Sequence, residues 1–335
     1  MRHKGNNPTM KDVAREAGVA LGTVSKVFNG LPVGDSYREK VEEAAKRLGY
    51  QVNSYARGLK TNKTYTVALI LPCVTDPFFA LLAEHTSLCL AKRGYRTLLS
   101  LTGSDPEAEQ ACIRMVEQNK VDGIISLTYN PDLEVNGQIP FVSIDRYFSS
   151  EVPCVASDNF GGGQMAAEKL ISLGCKKLLF LRIGSNVSGE TDKRGIGFQT
   201  VCQNKQVPFE MLMLEDSQGF ETFRTFLEAH IRDGKLEFDG IFCNTDRLAY
   251  YIIGYLRELG IRVPEDVQII GFDGVRQFNS EDLYCSTIVQ PMAQLAETSV
   301  DIVLREDRSN LPSLICLPVS YVPGGTTKES WPANT

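Results

Sequence analysis

The chain has 335 residues, enough for two or three domains with sizeable cores, and no apolar run approaches the ~20 residues of a membrane span. Nine cysteines, an odd number with no CxxC pair between Cys73 and Cys316, read as small buried hydrophobes, not as a zinc site; with a short polar N-terminus that carries no secretory stretch, the expected compartment is the cytoplasm. A net charge of −6 argues against nucleic acid until it is divided: residues 1–63 hold 12 Lys and Arg against 6 Asp and Glu, net +6, and the remainder 23 against 35, net −12, so a basic head precedes an acidic body.

Residues 9–30 scan as two short helices around a tight turn. Thr9 is a candidate N-cap, and Val13, Ala14 and Ala17 share one apolar face. Gly18 suits the turn because glycine enters positive φ at little cost, and Val19 anchors it. Ala20 to Phe28 form the second helix, with Val24 and Val27 or Phe28 inward and Thr23, Ser25, Lys26 and Asn29 outward. Two helices, a glycine turn and a polar second helix are the layout of a DNA-reading helix-turn-helix. The same pattern occurs in folds that never touch DNA, but those folds do not account for the positive charge on this segment.

From Tyr65 onward strands alternate with helices. Apolar runs at 66–71, 96–101, 123–127 and 140–144 read as strands, and 78–93 and 106–119 as helices. The rhythm repeats with strands at 177–183, 210–214, 240–243 and 268–272 and helices at 163–173, 195–203, 219–230 and 247–259. Two similar α/β halves predict two doubly wound lobes, with a ligand cleft where the carboxyl ends of their strands face each other. The polar, turn-rich end of the chain, 326–335, is expected to be a mobile tail.

The literal strings are more specific than the pattern. Thr23-Val-Ser-Lys-Val-Phe-Asn-Gly30 resembles the recognition-helix signature of the LacI/GalR family of bacterial repressors. Arg38-Glu-Lys-Val41 and Leu48-Gly-Tyr-Gln-Val-Asn53 resemble that family's third helix and its exit, and Tyr55-Ala-Arg-Gly-Leu59 its hinge helix. The resemblance implies an all-α helix-turn-helix domain at 1–53 and a hinge at 54–63. A two-lobed, periplasmic-binding-protein-like α/β domain then spans 64–325. Its first lobe would comprise 64–160 and 290–320, its second 161–289 and 321–325, with crossings near Phe160, Gln290 and Ser320. It also implies a homodimer on a pseudo-palindromic double-stranded operator.

By the same resemblance Leu21, Gly22 and Lys26 occupy base-reading positions, while Thr9, Thr23, Ser25, Asn29, Asn53, Tyr55, Ala56 and Arg57 are candidate DNA contacts. Leu59 would wedge between base steps in the minor groove, at a cost of about a few kcal/mol. The chain departs from the common pattern at three places. Ala20 stands where a capping Ser is usual, Lys26 where Arg is usual, and Val52 where Pro is common. A lysine is a point donor and not a bidentate fork, which weakens the expected preference for guanine.

Sugar recognition needs groups that bond two hydroxyls at once and aromatics that cover ring faces. Such residues stand at strand ends: Asp76, Phe78 and Phe79, then Asp145 and Arg146, Arg194, Thr245 and Asp246, Asp273, and Gln290 on a crossover. Asp145, Arg194, Asp273 and Phe78 form the central expectation. Plain structural roles remain open for several: Phe78 and Phe79 as core aromatics, Asp145 and Asp273 as turn caps, Asp246 as a helix cap. Thr245 replaces the family's common Asn, and the Gln218-Gly-Phe220 segment lacks the usual spacing of a second-lobe aromatic. No cofactor and no metal are expected. The leading function is a DNA-binding regulator, a repressor, controlled by a small carbohydrate; the alternative is the same scaffold controlled by another metabolite or a protein. An enzyme on a doubly wound fold is the rival class. Its only motif, Gly161-Gly-Gly163, lacks both G-x-G-x-x-G spacing and a Gly-Lys-Ser/Thr ending.

Overall fold

A computed structural model describes residues 8–28, 31–50, 63–128, 130, 132–135, 137–147, 151–277 and 282–329. The expected contacts at Asn29, Asn53, Tyr55, Ala56, Arg57 and Leu59, and the hinge up to residue 62, lie outside these residues. The chain divides into two compact units, Met1–Thr64 and Tyr65–Thr335.

The first unit holds α1 (Met10–Ala17), α2 (Leu21–Phe28) and α3 (Asp35–Leu48). Thr9 closes a capping box with Asp12, each side chain bonding the other's backbone amide, which satisfies amides that the first helical turn leaves free. Gly18 ends α1 at φ +64° and donates to the carbonyls of Ala14 and Arg15. That turn aims α2 so that Val24 and Val27 bury against Val13, Ala14, Val41, Ala44 and Ala45.

The second unit contains two six-stranded sheets. The first has β1 (Thr66–Leu71), β2 (Arg96–Leu101), β3 (Gly123–Ser126), β4 (Phe141–Ile144), β5 (Cys154–Ser157) and β13 (Leu314–Leu317), all parallel, in the order β13-β5-β4-β3-β1-β2. Helices α4 (Pro77–Lys92) and α10 (Met292–Val303) bury Leu82, Leu90, Leu295 and Val300 on one face. On the other face α5 (Pro106–Gln118) buries Ile113 and Val116. The second sheet has β6 (Leu178–Gly184), β7 (Phe209–Glu215), β10 (Gly240–Cys243), β11 (Gln268–Asp273), β12 (Ser286–Val289) and β14 (Ser320–Val322), in the order β14-β12-β11-β10-β6-β7 with only β14 antiparallel. It is covered by α6 (Asn159–Ser172) and α7 (Lys193–Asn204) on one face and by α8 (Glu221–Ala229) and α9 (Asp246–Glu258) on the other. A short hairpin, β8 (Ile231–Arg232) with β9 (Lys235–Leu236), follows α8. The chain passes between the sheets after β5, β12 and β13.

The Gly161-Gly-Gly163 run, which lacks a phosphate-binding motif, lies inside α6; that helix begins at Asn159, ahead of the expected start at 163. A Cβ on Gly163 would collide with the Arg194 carbonyl, and one on Gly197 with the Phe160 carbonyl, so paired glycines let α6 and α7 pack backbone to backbone. The expected mobile tail is also docked, as far as residue 329. Thr326 accepts from the Ile269 and Ser286 amides at 2.9 and 2.8 Å, Lys328 donates to Gln268 at 2.8 Å, and Glu329 pairs with Lys169. These bonds occupy backbone groups of β11 and β12 that would otherwise lie unpaired.

Candidate functional site

The carboxyl ends of the two sheets enclose a cleft of about 520 Å³. Asp145 follows β4 with φ +53° and is buried. Its Oδ1 has no hydrogen-bond partner among the described residues. Burial raises its pKa, against the opposing pull of Arg194 and the Asn159 side chain. Asp273 ends β11 at φ +131° and is buried too. Its Oδ1 accepts from Gln290 Nε2 at 2.7 Å and lies 3.7 Å from Arg194 Nη1, and burial again outweighs the arginine and raises its pKa.

Arg194, in the first turn of α7, stands between these carboxylates. Its guanidinium lies 3.6 Å from the centroid of Phe272, donates to Asn159 Oδ1 at 2.7 Å and to the Asn244 carbonyl at 2.6 Å. Ring and acceptors fix the fork in one plane. Gln290, on a crossing between the sheets, also accepts from Ser157 Oγ at 2.7 Å. Arg146 reaches from the first lobe to the carbonyls of Val187 and Ser188 in the second.

Asp76 caps α4 through the Phe78 amide at 3.0 Å and faces Arg247 across the mouth at 3.8 Å. Phe78 and Phe79 meet edge to face, 5.4 Å apart. Both line the cleft, as do Asp76, Asp145, Arg146, Arg194, Thr245, Asp273 and Gln290. Asp246 does not. Thr245, not Asp246, caps α9, accepting from the Leu248 amide. The Asp246 carboxylate turns inward to accept from the Gly274 and Val275 amides at 2.8 and 2.7 Å and from Thr287 Oγ1 at 2.6 Å. It holds the turn that presents Asp273.

Phe220 and Arg247 were not anticipated. Phe220 is the second-lobe aromatic whose spacing the sequence lacked: Gly219, at φ +67°, turns the chain after a short 3-10 segment and carries Phe220 to the cleft wall. Arg247 lies 5.6 Å from its ring centroid. Aromatic walls from both lobes and paired carboxylates around one guanidinium suit a ring that carries several hydroxyls. Among the described residues no group of three His, Cys, Asp or Glu could hold a metal, and no helix is long and apolar enough to cross a membrane.

On the helix-turn-helix, Leu21, Gly22 and Lys26 are exposed, and Thr23 and Ser25 half-buried. A Cβ on Gly22 would meet only open space. Thr9 is committed to Asp12, to which its hydroxyl donates at 2.7 Å.

Residues 9–53 match the family described as bacterial regulatory proteins, lacI family. Residues 64–306 match the periplasmic binding proteins and sugar binding domain of LacI family. The sucrose operon repressor of Streptococcus mutans is 32% identical over 319 residues, 94% of this chain and 98% of its own length. The ribose operon repressor of Lactococcus lactis subsp. lactis is 33% identical over 335 residues, 96% of this chain and 98% of its own. Among solved structures, a periplasmic binding protein/LacI transcriptional regulator from Alkaliphilus metalliredigens complexed with D-xylulofuranose matches with a TM-score of 0.70 and 27% identity, over 79% of this chain and all of that one. The lac repressor dimer bound to operator and the anti-inducer ONPF shares the fold, with a TM-score of 0.79 and 22% identity over 96% of this chain and 99% of that one.

Proposed function

The chain belongs to the LacI family of bacterial regulatory proteins, and from that premise we propose that it is a sugar-responsive repressor. It binds a pseudo-palindromic operator in the cytoplasm as a homodimer. Leu21, Gly22 and Lys26 face base edges, Thr23 and Ser25 the phosphates. The hinge around Tyr55 to Leu59 is the second, minor-groove contact. Exposed Leu88, Leu99 and Leu101 on the first lobe support contact between subunits.

The observation that carries the effector reading is the unpartnered Asp145 Oδ1, buried beside Arg194 in a cleft walled by Phe79 and Phe220. A ligand hydroxyl donating to that oxygen would relieve a buried, unsatisfied acceptor. A ligand that touches both lobes favours their closed arrangement, which changes the spacing of the two recognition helices and so the operator affinity.

A thermal-shift screen of the full chain against sugars, sugar phosphates, nucleosides and nucleobases tests this. A ligand at 100 times its Kd stabilises the fold by about 2.7 kcal/mol. A carbohydrate is expected to raise the melting temperature and to change affinity for an operator selected from random DNA. Arg194→Ala should remove both effects. Silence across the carbohydrates with a response to another class would replace the sugar and leave the DNA-binding reading intact. Failure to select any operator would overturn the repressor.

A further inference from the structure

At the other end of the first sheet from the cleft, where β4, β5 and β13 begin, a second cavity of about 390 Å³ opens. Val135, Phe141, Val152 and Leu311 supply apolar walls, and Arg308 and Asn310 enter it from the loop before β13. Arg308 is half-buried. Its Nε is enclosed and has no hydrogen-bond acceptor among the described residues. The neighbouring carboxylates do not answer it. Asp307 is occupied by the amide and hydroxyl of Ser309, at 3.0 and 2.6 Å. Glu151 lines the same cavity, and burial lowers the pKa of Arg308. The buried arginines of the cleft, by contrast, are answered: Arg194 by Asn159 and the Asn244 carbonyl, Arg146 by two carbonyls. An enclosed N–H without an acceptor costs stability until an acceptor arrives.

We propose that this cavity binds a small oxyanion, a carboxylate or phosphate group on an apolar body. Its oxygens accept from Arg308 Nε, in a cavity that Asn310 also lines. Val135 and Leu311, both half-buried, line the cavity beside that body. Charge-assisted bonds to a guanidinium favour planar or tetrahedral oxyanions, and both lie within the chemistry of common metabolites. The site is separate from the cleft and does not depend on the effector's being a sugar.

The test is calorimetric titration of the full chain with benzoate, phenyl phosphate and inorganic phosphate at constant ionic strength, with chloride as the control. Saturable binding of benzoate or phenyl phosphate is expected, at least tenfold weaker in Arg308→Gln and partly retained in Arg308→Lys. Benzoate alone binding would assign a carboxylate, phenyl phosphate alone a phosphate ester. Arg308→Met gives a second readout: without any anion it should melt above the native chain, because it removes an enclosed N–H that has no acceptor. Absence of saturable binding by every probe, equal binding by Arg308→Gln, or a lower melting temperature for Arg308→Met would each overturn the proposal.

Discussion

Asp145 carries opposite demands on one side chain. Its carboxylate is buried with one oxygen unpaired among the described residues, which costs the empty protein stability and prepares the site for a donor. Burial raises its folded-state pKa above an unfolded value near 3.9. The stability it contributes is therefore fully present below about pH 4 and is lost as the pH rises through the raised value. Asp145→Asn does not titrate. Its melting temperature should match the native chain near pH 4 and exceed it increasingly as the pH rises through the raised value, while effector affinity falls at least about tenfold, the worth of a hydrogen bond to a charged group. Thermal melts of both proteins across that range, with and without ligand, measure this, and a constant gap at all pH values would refute it. Asp145 and Asp273 were legible because a charged side chain ending an apolar strand must find a partner or a ligand once the strand is buried. Arg194, set among glycines and apolar residues, was legible on the same ground. Asp246 misled by the same position: a strand end does not say which way a carboxylate turns, and the Gly274 and Val275 amides claim this one.

Elements place these residues, and the pair α6 and α7 does so most directly. Gly163 and Gly197 meet the backbones of Arg194 and Phe160, so helix separation and the position of Arg194 are one quantity. A methyl at 163 pushes on the carbonyl of the residue whose guanidinium must reach Asn244. Gly163→Ala should cost about 1–3 kcal/mol of stability, the range for overpacking a close contact, and should weaken effector binding with no change in any cleft side chain. Denaturant unfolding and ligand titration of the same variant check both; loss of stability with native affinity would separate packing from site. The long elements were legible in the sequence through their apolar periodicity and the alternation of strands with helices. The four-residue β5, β12 and β13, the three-residue β14 and the two-residue strands of the hairpin were not, although the equally short β3, β4 and β10 were, as apolar runs within the alternation of strands and helices. Helix α10, lying between two chain crossings, was passed over with them. The run Gly161 to Gly163 was read without the glycine that faces it, which lies 34 residues on from Gly163, at Gly197.

At the scale of the whole second unit, the two lobes are joined by a small number of polar links. Ser157 donates to Gln290, and Gln290 donates to Asp273, so one amide on a crossing ties the first sheet's β5 to the end of β11. Arg146 adds bonds to the Val187 and Ser188 carbonyls, and Asp76 faces Arg247 at the mouth. The outer pair is exposed at Arg247 and screened by solvent, so it contributes little. The Gln290 link is buried, and each group it leaves unsatisfied costs about 1–3 kcal/mol. Gln290→Leu keeps the volume and removes both bonds. The Ser157 hydroxyl and the Asp273 carboxylate each lose a hydrogen-bond partner, which water can replace when the lobes part. The empty variant should populate a more open arrangement, visible as an increased radius of gyration in solution scattering. Its effector affinity should drop by more than the loss of one ligand contact, because the ligand must also supply the closure that Gln290 supplied. Addition of saturating effector should restore the native radius. A variant that stays compact when empty yet binds weakly would make Gln290 a ligand contact only, and the lobe coupling would then rest on the other links, those of Arg146 and of the Glu190 amide, which donates to the Asp145 carbonyl at 3.2 Å.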